Sequence, residues 1–277
     1  MASDQPLSPA AAEVSRFDRE RFVTALFAPA DRRDGVMVLY AFNLELARIR
    51  DSVREPMAGM IRLQWWREVL AGERNDEAAR HPVAAPLLRL GLPVAPFEAM
   101  LAARERDLEA APFPDLAALR DYCGATAGGL AELACRTLGA ERPASLEAAR
   151  RVGTAWALVG LLRSVPHHLS TGWLTVPAAC LDQAGASAED VLGGRAPQPA
   201  LAAAAAAIAK AAEAELASAR AVKGIERAAL PALLPATLAS AHLRVLRRVR
   251  WDLHHGAVAQ ARTAPVRLTL NALLGRF

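Results

Sequence analysis

The chain has 277 residues, with 33 basic and 29 acidic side chains and a net charge of +4. Alanine supplies 64 residues and aromatics only 5%, which favours a large helical fold over sheet, because Ala is the best helix former and adds little bulk. The composition excludes a disordered, collagenous or disulfide-built chain, and so small a net charge argues against a nucleic-acid binder, which concentrates basic residues in a patch.

Residues 1–12 are small, polar and Pro-bearing, with no basic stretch before an apolar core. They read as a flexible tail without a signal peptide, ahead of one all-α domain over 13–277. A first helix is expected over 13–28, closed by Pro29. Asp31 caps a second, in which Val36, Leu39, Tyr40, Phe42, Leu46, Ile49 and Val53 trace one stripe up to Pro56. Further helices are expected over 60–70, 81–90, 96–110 and 116–138, each bounded by Pro or Gly. The next covers 145–165 and is expected to stop at Pro166. A short helix follows Pro177, 185–198 reads as a loose connector, and 199–223 as an Ala-rich, partly peripheral helix. Helices over 230–253 and 264–274 complete the chain. The apolar runs 152–162 and 200–209 are well short of the roughly 18–20 residues that a spanning helix needs.

Three cysteines, Cys123, Cys135 and Cys180, form no CxxC pair, which points to a reduced, cytoplasmic protein. Only Lys210 and Lys223 are lysines, so arginine carries nearly all the positive charge. Arg244, Arg247, Arg248 and Arg250 on an amphipathic helix suggest peripheral contact with the inner membrane, against the plainer reading of a solvated face.

The usual catalytic signatures GxSxG, P-loop, GxGxxG and HExxH are absent from the sequence. Neighbours on a helix point about 100° apart, so neither His167-His168 nor His254-His255 offers two ligands to one ion. They read as capping or solvated histidines rather than as zinc ligands.

The run Tyr40-Ala41-Phe42-Asn43-Leu44-Glu45-Leu46-Ala47-Arg48-Ile49-Arg50-Asp51 sets polar groups inside a strong apolar stripe. With Tyr122-Cys123-Gly124-Ala125-Thr126-Ala127-Gly128-Gly129, with residues 153–168, with Gly172 to Pro177 and with His81-Pro82-Val83, it resembles the squalene/phytoene synthase family. The resemblance covers roughly residues 17–180 and implies a single-domain isoprenoid-synthase fold. In that family two Asp-rich motifs hold Mg²⁺ against the diphosphates of two allylic substrates that are joined head to head. Here the first motif reads Ala47, Arg48, Asp51 and the second Ser164, His167, His168. One carboxylate remains of six, and a hard cation needs several oxygen ligands. The implied cofactor is therefore none. The degenerate metal and diphosphate site comprises those six residues and Arg163. The resemblance also nominates Tyr40, Phe42, Asn43, Tyr122, Ala127, Gly128, Ala157 and Gly160 as cavity-lining.

Arg62-Leu63-Gln64-Trp65-Trp66-Arg67 and Arg163-Ser164-Val165-Pro166-His167-His168 resemble the non-catalytic branch that includes a mitochondrial complex I assembly factor. That likeness implies an isoprenoid or lipid ligand and a protein partner in respiratory-complex assembly. The alternative is an active head-to-head prenyltransferase. Arg163 ends an apolar stretch, where an unpaired charge is costly, so an ion pair with Asp51 or Glu45 is expected to close the old metal site.

Overall fold

The computed structural model describes residues 6–260 and 265–277. Helices α1 (Pro9–Phe17) and α2 (Arg19–Ala25) open the chain. Residues 1–5 of the expected tail lie outside the described residues, and from Pro9 onward the chain is helix rather than tail. Ser8 caps α1 by accepting from the Ala11 N–H, and Ala10 and Ala11 are buried. Small alanines give no bulky stripe, so the start of this helix was hidden. Asp18 then divides the expected first helix in two, its carboxylate accepting from Arg21 N at 3.1 Å.

Helix α3 (Ala30–Ala47) is buried along almost its whole circumference between Val36 and Leu44, which places it at the centre of the molecule. It breaks at Arg48, and a single turn α4 (Ile49–Ser52) follows. Helices α5 (Pro56–Leu70), α6 (Asn75–Arg80), α7 (Ala84–Leu88) and α8 (Val94–Glu105) pack along one side, and a 3₁₀ turn (Arg106–Leu108) continues α8. Asp115 caps α9 (Leu116–Cys123). A π turn (Gly124–Gly128) then joins α9 to α10 (Gly129–Thr137).

The long α11 (Pro143–Ser170) is the axis on which α9, α10, the π turn and later helices pack. It runs through Pro166, contrary to expectation. Pro166 removes one backbone donor, but the turn beyond is held by bonds from the segment that follows it. Trp173 N donates to the His168 carbonyl at 2.8 Å, and His168 Nδ1 lies 3.3 Å from Thr175 Oγ1. Two glycines allow α11 to approach the π turn closely. A Cβ at Gly153 would sit 2.2 Å from the Ala127 carbonyl oxygen, and one at Gly128 would sit 3.0 Å from that of Arg150.

Helices α12 (Ala178–Gln183) and α13 (Ala188–Leu192) follow. The latter stands inside the expected connector and is fixed by a capping box between Ser187 and Asp190. The Ala-rich α14 (Gln198–Ala221) is not peripheral: Ala204, Ala205, Ile208, Ala212 and Leu216 are buried, and the helix lies along α11. Helices α15 (Leu230–Leu233), α16 (Pro235–Arg248), α17 (Gly256–Ala259) and α18 (Pro265–Leu273) finish the chain. The stretch Arg227–Arg248 is long and apolar enough by composition to cross a membrane, yet 72% of its most apolar window is buried inside the protein. It serves as core. Among the described residues the fold has no strand.

Candidate functional site

The two degenerate motifs meet at one rim. Asp51 on α4 and His167 on α11 border the same cavity, about 520 Å³, together with Arg50, Arg54 and Thr171. Arg50 lies over the Trp173 ring at 4.8 Å and also donates to the Asp107 carbonyl. His168 stacks beside Trp173, ring centres 4.5 Å apart. Burial above all, and then His167 and Arg50, depress its pKa to about 4, so the imidazole is neutral. Ala47, at the end of α3, and Ser164, on α11, are half-buried. Among the described residues no three His, Cys, Asp or Glu side chains stand close enough to hold a metal ion. The donor set around Asp51 does not fit Mg²⁺, since its neighbours are two arginines and a histidine.

The other two motif arginines turn away from this rim. Arg48 pairs with Glu13 of α1 at 2.5 Å, its guanidinium 3.7 Å above the Phe17 ring. Arg163 does not reach Asp51 or Glu45. It pairs with Glu20 of α2 at 2.7 Å, and His242 of α16 contacts the other oxygen of that carboxylate at 2.5 Å. Helix geometry sets this choice of partner. Arg163 lies on the side of α11 towards α2 and α16, while Asp51 lies at the α4 rim and Glu45 beside His81. Burial would raise the Glu20 pKa, but the His242 hydrogen bond and the Arg163 charge outweigh it and hold it below the ordinary value.

Of the cavity-lining candidates, Phe42 is core. It is fully buried, edge-on to Trp66 at 4.8 Å and to Phe97 at 5.4 Å. Tyr40 is buried near Arg21, and burial pushes its hydroxyl up to about 12. Ala127 and Gly128 are buried in the contact with α11 described above. Ala157 and Gly160 are half-exposed, and a Cβ at Gly160 would meet nothing within 4 Å. Asn43 and Tyr122 join a buried polar cluster. Arg104 donates to Asp107 at 2.9 Å, to the Tyr122 hydroxyl at 2.8 Å and to Asn43 Oδ1 at 3.3 Å, and Tyr122 donates to Asp107 at 2.7 Å. Burial raises the Tyr122 pKa far above its usual value, so the hydroxyl keeps its proton as a donor. Arg104 and Asp107 were not singled out from the sequence. Their signal was there, because Phe97, Met100, Leu101 and Arg104 share one helical stripe, and a charge on a buried stripe needs a partner.

A second cavity, about 470 Å³, opens beside α3 between Glu45, Arg48, Trp65, Trp66 and His81. Burial, followed by the charge of Glu13, raises the Glu45 pKa to about 7 against the opposing pull of Arg48. His81 Nδ1 accepts from the Val83 and Ala84 N–H groups, which leaves its Nε2 proton facing Glu45 at 3.7 Å.

These helices set the two motif-bearing segments around one polar rim in an all-α fold. The family model for squalene/phytoene synthase matches residues 14–269, and the chain belongs to that family. It is 30% identical to human NADH dehydrogenase (ubiquinone) complex I, assembly factor 6, over 251 residues, covering 89% of this chain and 75% of that protein. The mouse protein is 29% identical over 248 residues, 88% and 74% of the two chains. Presqualene diphosphate synthase from Rhodopseudomonas palustris is 28% identical over 172 residues, 58% of this chain and 59% of that one. A crystal structure of a dehydrosqualene synthase superposes with a TM-score of 0.79 at 20% identity, over 96% and 94% of the two chains. At that identity the likeness establishes the all-helical fold alone.

Proposed function

We propose that this chain is a non-catalytic member of the family that acts in assembly of a respiratory complex, in the manner named for complex I assembly factor 6. The observation that carries this is the fate of the motif arginines. Arg48 and Arg163, beside or within the old metal motifs, are neutralised by Glu13 and Glu20 of α1 and α2. A diphosphate would have to displace those carboxylates, and without metal its departure as a leaving group would lose several kcal/mol of charge stabilisation. The length of the match to the assembly factors, against the partial match to presqualene diphosphate synthase, supports the same reading. The three cysteines are buried and unbridged, which suits the reducing cytoplasm. An isoprenoid or other lipid remains the proposed ligand class, and a respiratory-complex subunit the proposed partner class.

The second reading, head-to-head prenyl transfer, draws on open space beside Gly160 and on the rim cavity. Two measurements separate the readings. Purified protein with Mg²⁺ and farnesyl diphosphate is expected to release no diphosphate above a protein-free control; release that rises with enzyme would overturn the proposal. Deleting the gene in the cells that make the protein is expected to lower assembled complex I on native gels. Normal complex I in the deletion would equally overturn it.

A further inference from the structure

Positive charge is unevenly placed along this chain. Residues 227–277 hold eight of its arginines and one acid, Asp252, so the rest of the protein is slightly acidic. That segment ends in α18, whose packing is one-sided. Leu268 is buried against the body, and Asn271 donates to Thr237 of α16 at 2.8 Å. Val266, Leu270, Leu273 and Leu274 are instead 74%, 52%, 73% and 59% exposed. Their i, i+4, i+7, i+8 spacing makes them one continuous apolar row. Arg267 stands at the edge of the row, Arg276 follows just beyond the helix, and both are exposed. Neither they nor Arg244, Arg248 and Arg250 have an acidic side chain within 4 Å among the described residues.

An apolar row of this kind is out of place in water unless something covers it. From the coincidence of that row with unpaired arginines, we infer that α18 docks on an anionic lipid bilayer, its four aliphatic side chains entering the headgroup boundary and its arginines meeting lipid phosphates. The charge decides between occupants. A second copy of this chain would bring the same arginines against each other, whereas anionic lipid neutralises them. Arg220, beside α18, already feels this crowding: burial and then the charge of Arg267 lower its pKa. The inference is independent of the assembly reading, because it rests on the exposed face of α18 and not on the degenerate motifs.

The test is flotation of the full chain with phosphatidylcholine vesicles, with and without phosphatidylglycerol. Binding is expected only to the anionic vesicles, and weaker at high salt. The double variant Leu270→Glu/Leu273→Glu and, separately, Arg267→Glu/Arg276→Glu are each expected to reduce binding about tenfold or more. All four positions are exposed, so thermal melts should match the parent chain. No binding to anionic vesicles, binding unaffected by the leucine changes, or a dimer in solution that those changes dissolve would each overturn the inference. Complex I measured in the same variants reports separately on the assembly reading.

Discussion

Arg163 and Glu20 stand 143 residues apart in sequence and 2.7 Å apart in space, and the same carboxylate takes His242 from a third helix. Three charged or polar groups thus tie α2, α11 and α16 on the side of α11 turned away from the Asp51–His167 rim.

Removing the shared carboxylate should be costly. Glu20→Gln is expected to lower stability by about 2–4 kcal/mol, near the lower part of the range for buried pairs because both partners keep some exposure. Arg163→Met should cost less, since Glu20 keeps His242. Urea unfolding of the two variants checks the order. Equal, small losses would mean that the triad is incidental.

The same carboxylate sets an acid limit. Its pKa is lowered in the folded state, so its stabilisation holds above the ordinary value of 4.5 and is lost as pH falls below it. Melting temperature of the parent should therefore fall more steeply than that of Glu20→Gln between pH 5 and acid; parallel curves would contradict the pairing.

Glu45 has the opposite sign. With its pKa raised to about 7, the folded state binds the proton more tightly than the unfolded chain, and stability declines as pH rises from 4.5 through 7. Glu45→Gln should be neutral near pH 4 and stabilise by about 1–2 kcal/mol at pH 8, the full shift being discounted for water access. A pH-independent effect would rule this out.

In the buried cluster the partners differ in worth. Tyr122→Phe leaves Arg104 and Asp107 paired and should cost about 1–3 kcal/mol. Asp107→Ala strands Arg104 and should cost about 3–5 kcal/mol. Denaturant midpoints that rank the two the other way would show that Arg104 has another counter-charge.

Two glycines of α11 make a contrast. Gly153→Ala would push a methyl into the Ala127 carbonyl and should cost about 1–3 kcal/mol or more. Gly160→Ala meets open space and should stabilise by about 0.5–1 kcal/mol through helix propensity alone. Unfolding curves that move the same way for both would refute the packing described.

Much of this fold could be read from bulky side chains. Phe42, Leu39 and Leu46 marked α3 as central because large apolar groups repeat at helical spacing. The motif frames from Tyr40 to Asp51 and from Gly153 to His168 located the two segments that meet at the rim, with Asp51 and His167 on one cavity. Alanine gave less: α1 and the buried face of α14 carry too little bulk to show which side turns inward. Pro166 misled because a proline's local cost was outweighed by the bonds of Trp173 and His168 further on. The partners of Arg163 were beyond local reading, since a charge on a helix reports that it needs a partner and not which of several distant helices will supply one.

The π turn at Gly124–Gly128 has a consequence for what this segment can tolerate. Such a turn holds one residue more than an α turn and so rotates everything on one side of it relative to the other. Tyr122 is thereby aimed at Arg104 and Asp107, while α10 faces α3 and α11. Residues 116–137 are therefore written in two reading frames joined by a single spacer. Side chains here can be exchanged one at a time, but the number of residues between Tyr122 and Gly129 cannot change without turning one half of the rod away from its partners.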